Sequence, residues 1–311
     1  MLDLSQKNIL LTGGSGFLGQ HVMAELATLG IPPERVRIPR SRQHDLRDPA
    51  VCREMVAGQD VVIHLAAHVG GIGLNQQKPA ELFYDNLIMG AHLIQAAYEA
   101  EVEKFVCVGT ICAYPKFTPV PFQEADLWIG YPEETNAPYG IAKKALLVQL
   151  QAYRQQYGFA GIYLLPVNLY GPLDNFDPAS SHVIPALIRK VHEAQSQHQD
   201  FIEVWGDGSP TREFFYASDC ARGILQATQA YDEPDPVNLG TGEEISIREL
   251  ITVICDLMGY QGEIRWLTDK PNGQPRRCLD TQLAQQKFGF EAQVSLRLGL
   301  QKTIEWYRQV A

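Results

Sequence analysis

Apolar, β-branched and aromatic runs alternate with amphipathic stretches from the start of the chain. Asn8 to Leu11, Val36 to Ile38, Val61 to Leu65, Phe105 to Val108 and Ile162 to Pro166 are short runs bounded by turn residues, as buried strands are. Between them, Gly16 to Leu29, Glu81 to Glu99 and Pro138 to Tyr157 have helical character. Strands separated by helices in this way predict an α/β protein on a doubly wound parallel sheet. After Pro166 the pattern changes, and prolines and glycines crowd Tyr170 to Pro178 and Trp205 to Pro210. Val237 to Leu239 is strand-like and expected to rejoin the sheet; helices are expected over Ile247 to Met258 and near Leu300 to Arg308. The chain thus divides, without a clean linker, into a sheet domain over residues 1–170 with a returning segment near 213–240, and a smaller α/β domain over 171–311.

Length and charge narrow the function. A chain of 311 residues accommodates one large α/β unit or a nucleotide-binding domain with a cap. With 45% hydrophobic and 20% charged residues, long disorder and fibrous repeats are excluded. The 26 basic residues are outnumbered by 36 acidic ones, so no global field draws in nucleic acid or an anionic membrane. An anionic ligand must be held locally. Met1 to Asn8 is polar, and no apolar run approaches the roughly 18 residues of a membrane span, so neither a signal peptide nor an anchor is expected. Cysteines 52, 107, 112, 220, 255 and 278 show neither CxxC nor zinc-ligand spacing. Reduced thiols in a cytoplasm, without a bound metal, are the expectation.

The chemistry begins directly after the first strand, in Thr12-Gly13-Gly14-Ser15-Gly16-Phe17-Leu18-Gly19. Glycines at this spacing permit a tight turn, let backbone N–H groups approach a pyrophosphate, and bring the following helix close to the strand. Where an NAD enzyme usually presents an acid to the ribose, Pro39-Arg40-Ser41-Arg42 stands instead. Two guanidinium groups suit a 2′-phosphate, so Arg40 and Arg42 favour NADP(H). Tyr139 and Lys143 lie four residues apart after Pro138 and share one helical face. An ammonium beside a phenol stabilises the phenolate and makes it a better acid–base group at neutral pH. Thr110, near the end of the fourth strand, offers a hydroxyl to the same substrate oxygen.

Gly13 to Gly19, Asn86-Leu87-Ile88-Met89-Gly90, Tyr139-Gly140-Ile141-Ala142-Lys143 and Asn168-Leu169-Tyr170-Gly171-Pro172 together resemble the extended short-chain dehydrogenase/reductase superfamily. Within it, Val69 to Gly73, Cys112-Ala113-Tyr114-Pro115-Lys116, Glu134 to Tyr139, and Asp174-Asn175-Phe176 followed by Ser181 to Leu187 are similar to the GDP-L-fucose synthase family. The resemblance implies a Rossmann fold, a GDP-sugar substrate, and NADPH-dependent 3,5-epimerisation and 4-reduction of GDP-4-dehydro-6-deoxy-D-mannose. It implies Cys112 and His182 as the base and acid of epimerisation, and Tyr139, Lys143 and Thr110 as the reduction set. A thiol and an imidazole suit the task, since both exchange protons near neutral pH. It further implies cofactor contacts at Pro166, Val167, Asn168, Leu169, Lys143 and His182, substrate contacts at Lys190, Trp205, Arg212 and Asn272, and a homodimer through the Glu81 to Glu99 and Pro138 to Tyr157 helices. Lys190 and Thr110 depart from a familiar arginine and serine, and a lysine gives up bidentate phosphate binding. Two alternatives stand: an enzyme acting on another GDP-linked keto sugar such as a heptose, and a non-catalytic NADP-binding regulator.

Overall fold

The computed structural model describes residues 1–178, 180–270, 272 and 274–311. Its centre is a six-stranded parallel sheet of β1 (Ile9–Thr12), β2 (Val36–Arg37), β3 (Val61–His64), β4 (Lys104–Val108), β5 (Gly161–Pro166) and, after three strands that lie elsewhere, β9 (Val237–Leu239). The strand order is β2-β1-β3-β4-β5-β9. Strands β1, β3, β4 and β5 are buried at every position, which explains why they read as unbroken apolar runs. Their flanking helices are α1 (Phe17–Thr28), α2 (Pro49–Val56), α3 (Ile72–Gln77), α4 (Pro79–Glu99) and α5 (Ala137–Tyr157).

The chain then builds α6 (Val183–Ser196), α7 (Ala217–Ala230), α8 (Ile247–Met258), α9 (Gln282–Phe288) and α10 (Leu296–Val310). Strands β6 (Asn168–Tyr170), β8 (Thr211–Tyr216) and β10 (Glu244–Ser246) form a mixed sheet, and β7 (Phe201–Trp205) pairs parallel with β11 (Glu263–Leu267). Two apolar cores result. One fills the six-stranded sheet and its helices; the other gathers Ile184, Ile188, Ile202, Ile251, Leu300 and their neighbours from α6, α8, α10 and the small sheets.

Local chemistry sets several boundaries. Asp48 caps α2 ahead of Pro49, Ser246 and Glu249 form a capping box on α8, and Gly158 ends α5 at a φ of 71°. Trp205, placed by its sequence in a Gly/Pro loop, instead closes β7, and the last helix starts at Leu296. The short α2 and the helices α6 and α7 fall outside the expected elements, although each is amphipathic; their apolar faces pack against the two cores.

Candidate active site

In this strand order the direction of winding reverses between β1 and β3, where open α/β sheets bind ligands beyond the strand ends. The loop Gly13-Gly14-Ser15-Gly16 fills that point, with Phe17, Leu18 and Gly19 in the first turn of α1. Gly13 has a φ of 72°, and a Cβ there would lie 2.8 Å from the Ala66 nitrogen beyond β3. A Cβ on Gly19 would lie 2.2 Å from the Gly13 carbonyl oxygen. No side chain caps α1, whose N-cap is Gly16. These bare positions make a cradle at a helix N-terminus, a fit for a dinucleotide diphosphate. Gly14 packs on Ile38, which sets the next turn, with exposed Arg40 and Arg42, beside the cradle.

Beneath this loop, Thr12 and His64 close the ends of β1 and β3. The Thr12 hydroxyl bonds His64 Nδ1 at 2.8 Å and accepts from the Ala66 N–H at 3.2 Å. Burial pushes the His64 pKa down to about 3, and the nearby Lys143 adds to the shift, so the ring is neutral. It is a structural element of the crevice.

The reactive side chains meet where β4 ends and α5 begins. Thr110 precedes a short 3-10 turn, Ile111–Ala113, and its hydroxyl accepts from the Cys112 N–H at 3.2 Å. Gly140 lets α5 sit directly on this turn, since a Cβ there would lie 2.3 Å from the Cys112 carbonyl oxygen. Tyr139, one residue earlier, lies close enough to the Thr110 hydroxyl for that group to lower its pKa. Lys143, on the same helical face, is buried and donates from Nζ to the Val108 carbonyl oxygen at 2.9 Å. Tyr163 donates to the Lys143 carbonyl oxygen at 2.8 Å and fixes this turn of α5 from below.

The expected lowering of the phenol pKa by Lys143 is absent from this arrangement. Burial raises the Tyr139 pKa, the Cys112 thiol adds to the rise, and only the Thr110 hydroxyl opposes it. Burial likewise lowers the Lys143 pKa. The ammonium is turned to the end of β4 rather than to the phenol.

Cys112 is half-buried, and the Arg277 Nη1 donates to its sulfur at 3.8 Å. His182 lies at the N-cap of α6 with its ring on an open side, where the surrounding protein lowers its pKa by desolvation. The segment before it lies against Gly71, whose Cβ would meet the Ser181 carbonyl oxygen at 3.4 Å. Pro166 ends β5 and Val167 bonds the Leu239 carbonyl oxygen, while Asn168 and Leu169 open β6. Asn168 donates from Nδ2 to the Glu213 carbonyl oxygen at 2.9 Å.

The residues expected on the substrate side lie on α6, β7, β8 and the turn after β7. Lys190 on α6 donates to the Glu203 carbonyl oxygen of β7 at 2.7 Å, on the strand that ends in exposed Trp205. Asn272 accepts from the Asp207 N–H at 3.0 Å and holds the turn that follows Trp205. Arg212 lies on β8; burial first, and then Arg277, pushes its pKa down to about 10, which leaves it cationic at neutral pH. Arg277 stands against the thiol and Arg212 stands near Arg277, a pair of cations suited to a diphosphate or to developing negative charge.

A family model described as the NAD dependent epimerase/dehydratase family matches residues 9–240. The chain belongs to this family. A GDP-L-fucose synthase of Sinorhizobium fredii is 40% identical over 308 residues, 98% of this chain and 96% of that protein. A solved structure of a GDP-L-fucose synthetase from Naegleria fowleri bound to NADP superimposes with a TM-score of 0.87 at 26% identity, covering 99% of this chain and 96% of that one. A GDP-6-OMe-4-keto-L-xylo-heptose reductase from Campylobacter jejuni gives a TM-score of 0.91 at 25% identity, covering 99% of each chain.

Among the residues that sequence reasoning left out of this family's site, Arg277 is foremost. It lies 165 positions from Cys112 in a Pro/Arg-rich stretch, and nothing in the sequence tells which of Arg276 and Arg277 turns inward. In the structure Arg276 pairs outward with Glu244, and Arg277 faces the thiol. Glu213, next to Arg212, also had no assigned role.

Proposed function

We propose that the chain is an NADPH-dependent enzyme that epimerises C3 and C5 and reduces C4 of GDP-4-dehydro-6-deoxy-D-mannose, giving GDP-L-fucose. The observation that carries this reading is the thiol of Cys112 beside a guanidinium, on the short turn that Thr110 opens, with Tyr139 close to both. A reductase alone has no use for a cation-flanked thiol next to its acid; a C3 and C5 epimerase does. The identity to curated synthases supports the same substrate.

The dinucleotide is held by Gly13 to Gly19 at its diphosphate, by Arg40 and Arg42 at its 2′-phosphate, and by Lys143, His182 and Pro166 to Leu169 toward the nicotinamide. When bound, NADPH supplies the hydride that reduces the C4 ketone. Cys112 Sγ, with the Arg277 guanidinium against it, removes the protons beside that ketone, and the His182 imidazole returns them on the other face. Tyr139 Oη gives its proton to the C4 oxygen, and Thr110 orients that phenol. A phenol raised by burial holds its proton until the transition state asks for it, which suits an acid more than a base. Lys190, Trp205, Arg212 and Asn272 receive the GDP-sugar.

This assignment divides the chain at about residue 170, with the cofactor on the six-stranded sheet and the sugar nucleotide on the smaller elements. We assign a homodimer through α4 and α5, whose outer face exposes Phe83, Tyr84 and Val148. Six free thiols and an NADPH requirement suit a cytoplasm. No helix among the described residues is long and apolar enough to cross a membrane.

Purified protein given this substrate and NADPH is expected to lose absorbance at 340 nm and to form GDP-L-fucose. An unchanged absorbance and no product would refute the reading. The fold shared with the heptose reductase makes a GDP-linked keto-heptose the second substrate to include, and product analysis separates the two.

A further inference from the structure

Glu213 is buried on β8, immediately after Arg212, and forms no ion pair among the described residues. Its carboxylate instead takes backbone donors. Oε1 accepts from the N–H groups of Thr241 at 2.5 Å and Gly242 at 3.0 Å, and Oε2 accepts from the Leu279 N–H at 2.7 Å. Its own N–H donates to the Arg277 carbonyl oxygen at 3.0 Å. One residue therefore grips the Arg277 to Leu279 segment at both ends. At the free side of that grip, Arg277 reaches the Cys112 sulfur, and its Nε donates to Gln274. A carboxylate sunk among N–H groups without a cation costs desolvation that a neutral side chain would avoid.

We propose that Glu213 is a positioning residue that fixes the Arg277 segment so that the guanidinium stays against the Cys112 sulfur. The inference deepens the functional reading above and rests on it for its purpose, because a thiol that takes protons there needs a cation held beside it. A salt bridge from Glu213 to Arg277 would neutralise that guanidinium; backbone bonds hold the segment and leave its charge for the sulfur. The charged and titratable groups around this unit are Tyr139 from α5, Arg212 from β8, Cys278 within the segment, and Arg276 with Glu244 on its outer side.

The test is the pH dependence of iodoacetamide alkylation of Cys112 in the full-length protein, located by peptide mass mapping. Arg277→Gln is expected to slow alkylation at pH 7 about tenfold. Glu213→Gln keeps the shape but sets an amide N–H₂ against a backbone donor, and is expected to slow alkylation in the same direction, about three- to tenfold. The double variant is expected to be no slower than Arg277→Gln alone. Glu213→Asp, which keeps the charge but draws the carboxylate back from the Leu279 N–H, is expected to act likewise and serves if the glutamine variant does not fold.

A purely structural Glu213 would lower the melting temperature and leave the alkylation profile where it was. That result, an unchanged profile in Arg277→Gln, or additive slowing in the double variant would each overturn the proposal. So would failure of both Glu213 variants to fold while Arg277→Gln folds, since Glu213 would then serve the fold. Alkylation needs no substrate. A shifted thiol without turnover would remove only the functional reading, and turnover without a shift only this one.

Discussion

Gly19→Ala is the sharpest probe of the cofactor cradle. The new Cβ would sit 2.2 Å from the Gly13 carbonyl oxygen and 2.5 Å from Gly14 Cα, both backbone atoms that no rotamer change can move. An unstrained carbon–oxygen contact begins near about 3.3 Å, so the loop and α1 must part by about 1 Å. Overpacking of this kind costs about 1–3 kcal/mol, and tenfold in affinity corresponds to about 1.4 kcal/mol. If the strain is relieved by displacing the cradle, the NADPH dissociation constant rises about 10- to 100-fold. Titration by nicotinamide fluorescence, alongside thermal melting by circular dichroism, measures both consequences. Gly30→Ala is the control, because its φ of 76° strains an alanine while nothing lies within 4 Å of the added atom. It is expected to lose roughly 1 kcal/mol of stability and no cofactor affinity. A folded Gly19→Ala that binds NADPH within threefold of the parent would refute the reasoning, as would an equal loss in Gly30→Ala.

Tyr139→Phe is expected to abolish NADPH oxidation by at least about a hundredfold while solvent deuterium still enters C3 and C5; loss of exchange as well would contradict the separate roles. Cys112→Ser is expected to block that exchange and leave a residual 4-reduction of the unepimerised ketone, seen as a different product, and equal loss of both steps would count against it. Arg40→Ala with Arg42→Ala is expected to raise KM for NADPH about tenfold or more with little change for NADH, so equal effects would remove both from the 2′-phosphate site. Asp174 is buried, its Oδ2 has no hydrogen-bond partner among the described residues, and burial raises its pKa from 3.8 to about 7. The folded form prefers the proton, so this contribution to stability is complete below about pH 4 and falls as pH rises through 7. Asp174→Asn should therefore melt higher than the parent at pH 8 by up to about 4 kcal/mol and match it at pH 4, and an identical gap at both pH values would sink the assignment.

Much of the architecture was legible because its signals are local. A strand buried on both faces must be an apolar run, a glycine loop must sit where backbone meets diphosphate, and Tyr139 and Lys143 must share a helical face at a spacing of four. Those features place β1, β3, β4 and β5, the cradle and α5 within a residue or two of their observed positions. The second half was less legible for an opposite reason. Helices α6 and α7 are amphipathic and β7 alternates buried with exposed positions, but the partners they bury against lie far along the chain, so their patterns do not say where in the fold they pack.

The sequence by itself determined the doubly wound class, the dinucleotide cradle and the chemical types at the reaction centre, since each depends on residues close together in the chain. Only the tertiary structure decided that Arg277 rather than Arg276 meets Cys112, that Glu213 grips the Arg277 to Leu279 segment, and that Lys143 turns to Val108 instead of the phenol. The physical reason is reach. Electrostatic and hydrogen-bond partners are chosen across 35 to 165 positions of chain, by which groups packing has buried together, and no spacing rule encodes that choice.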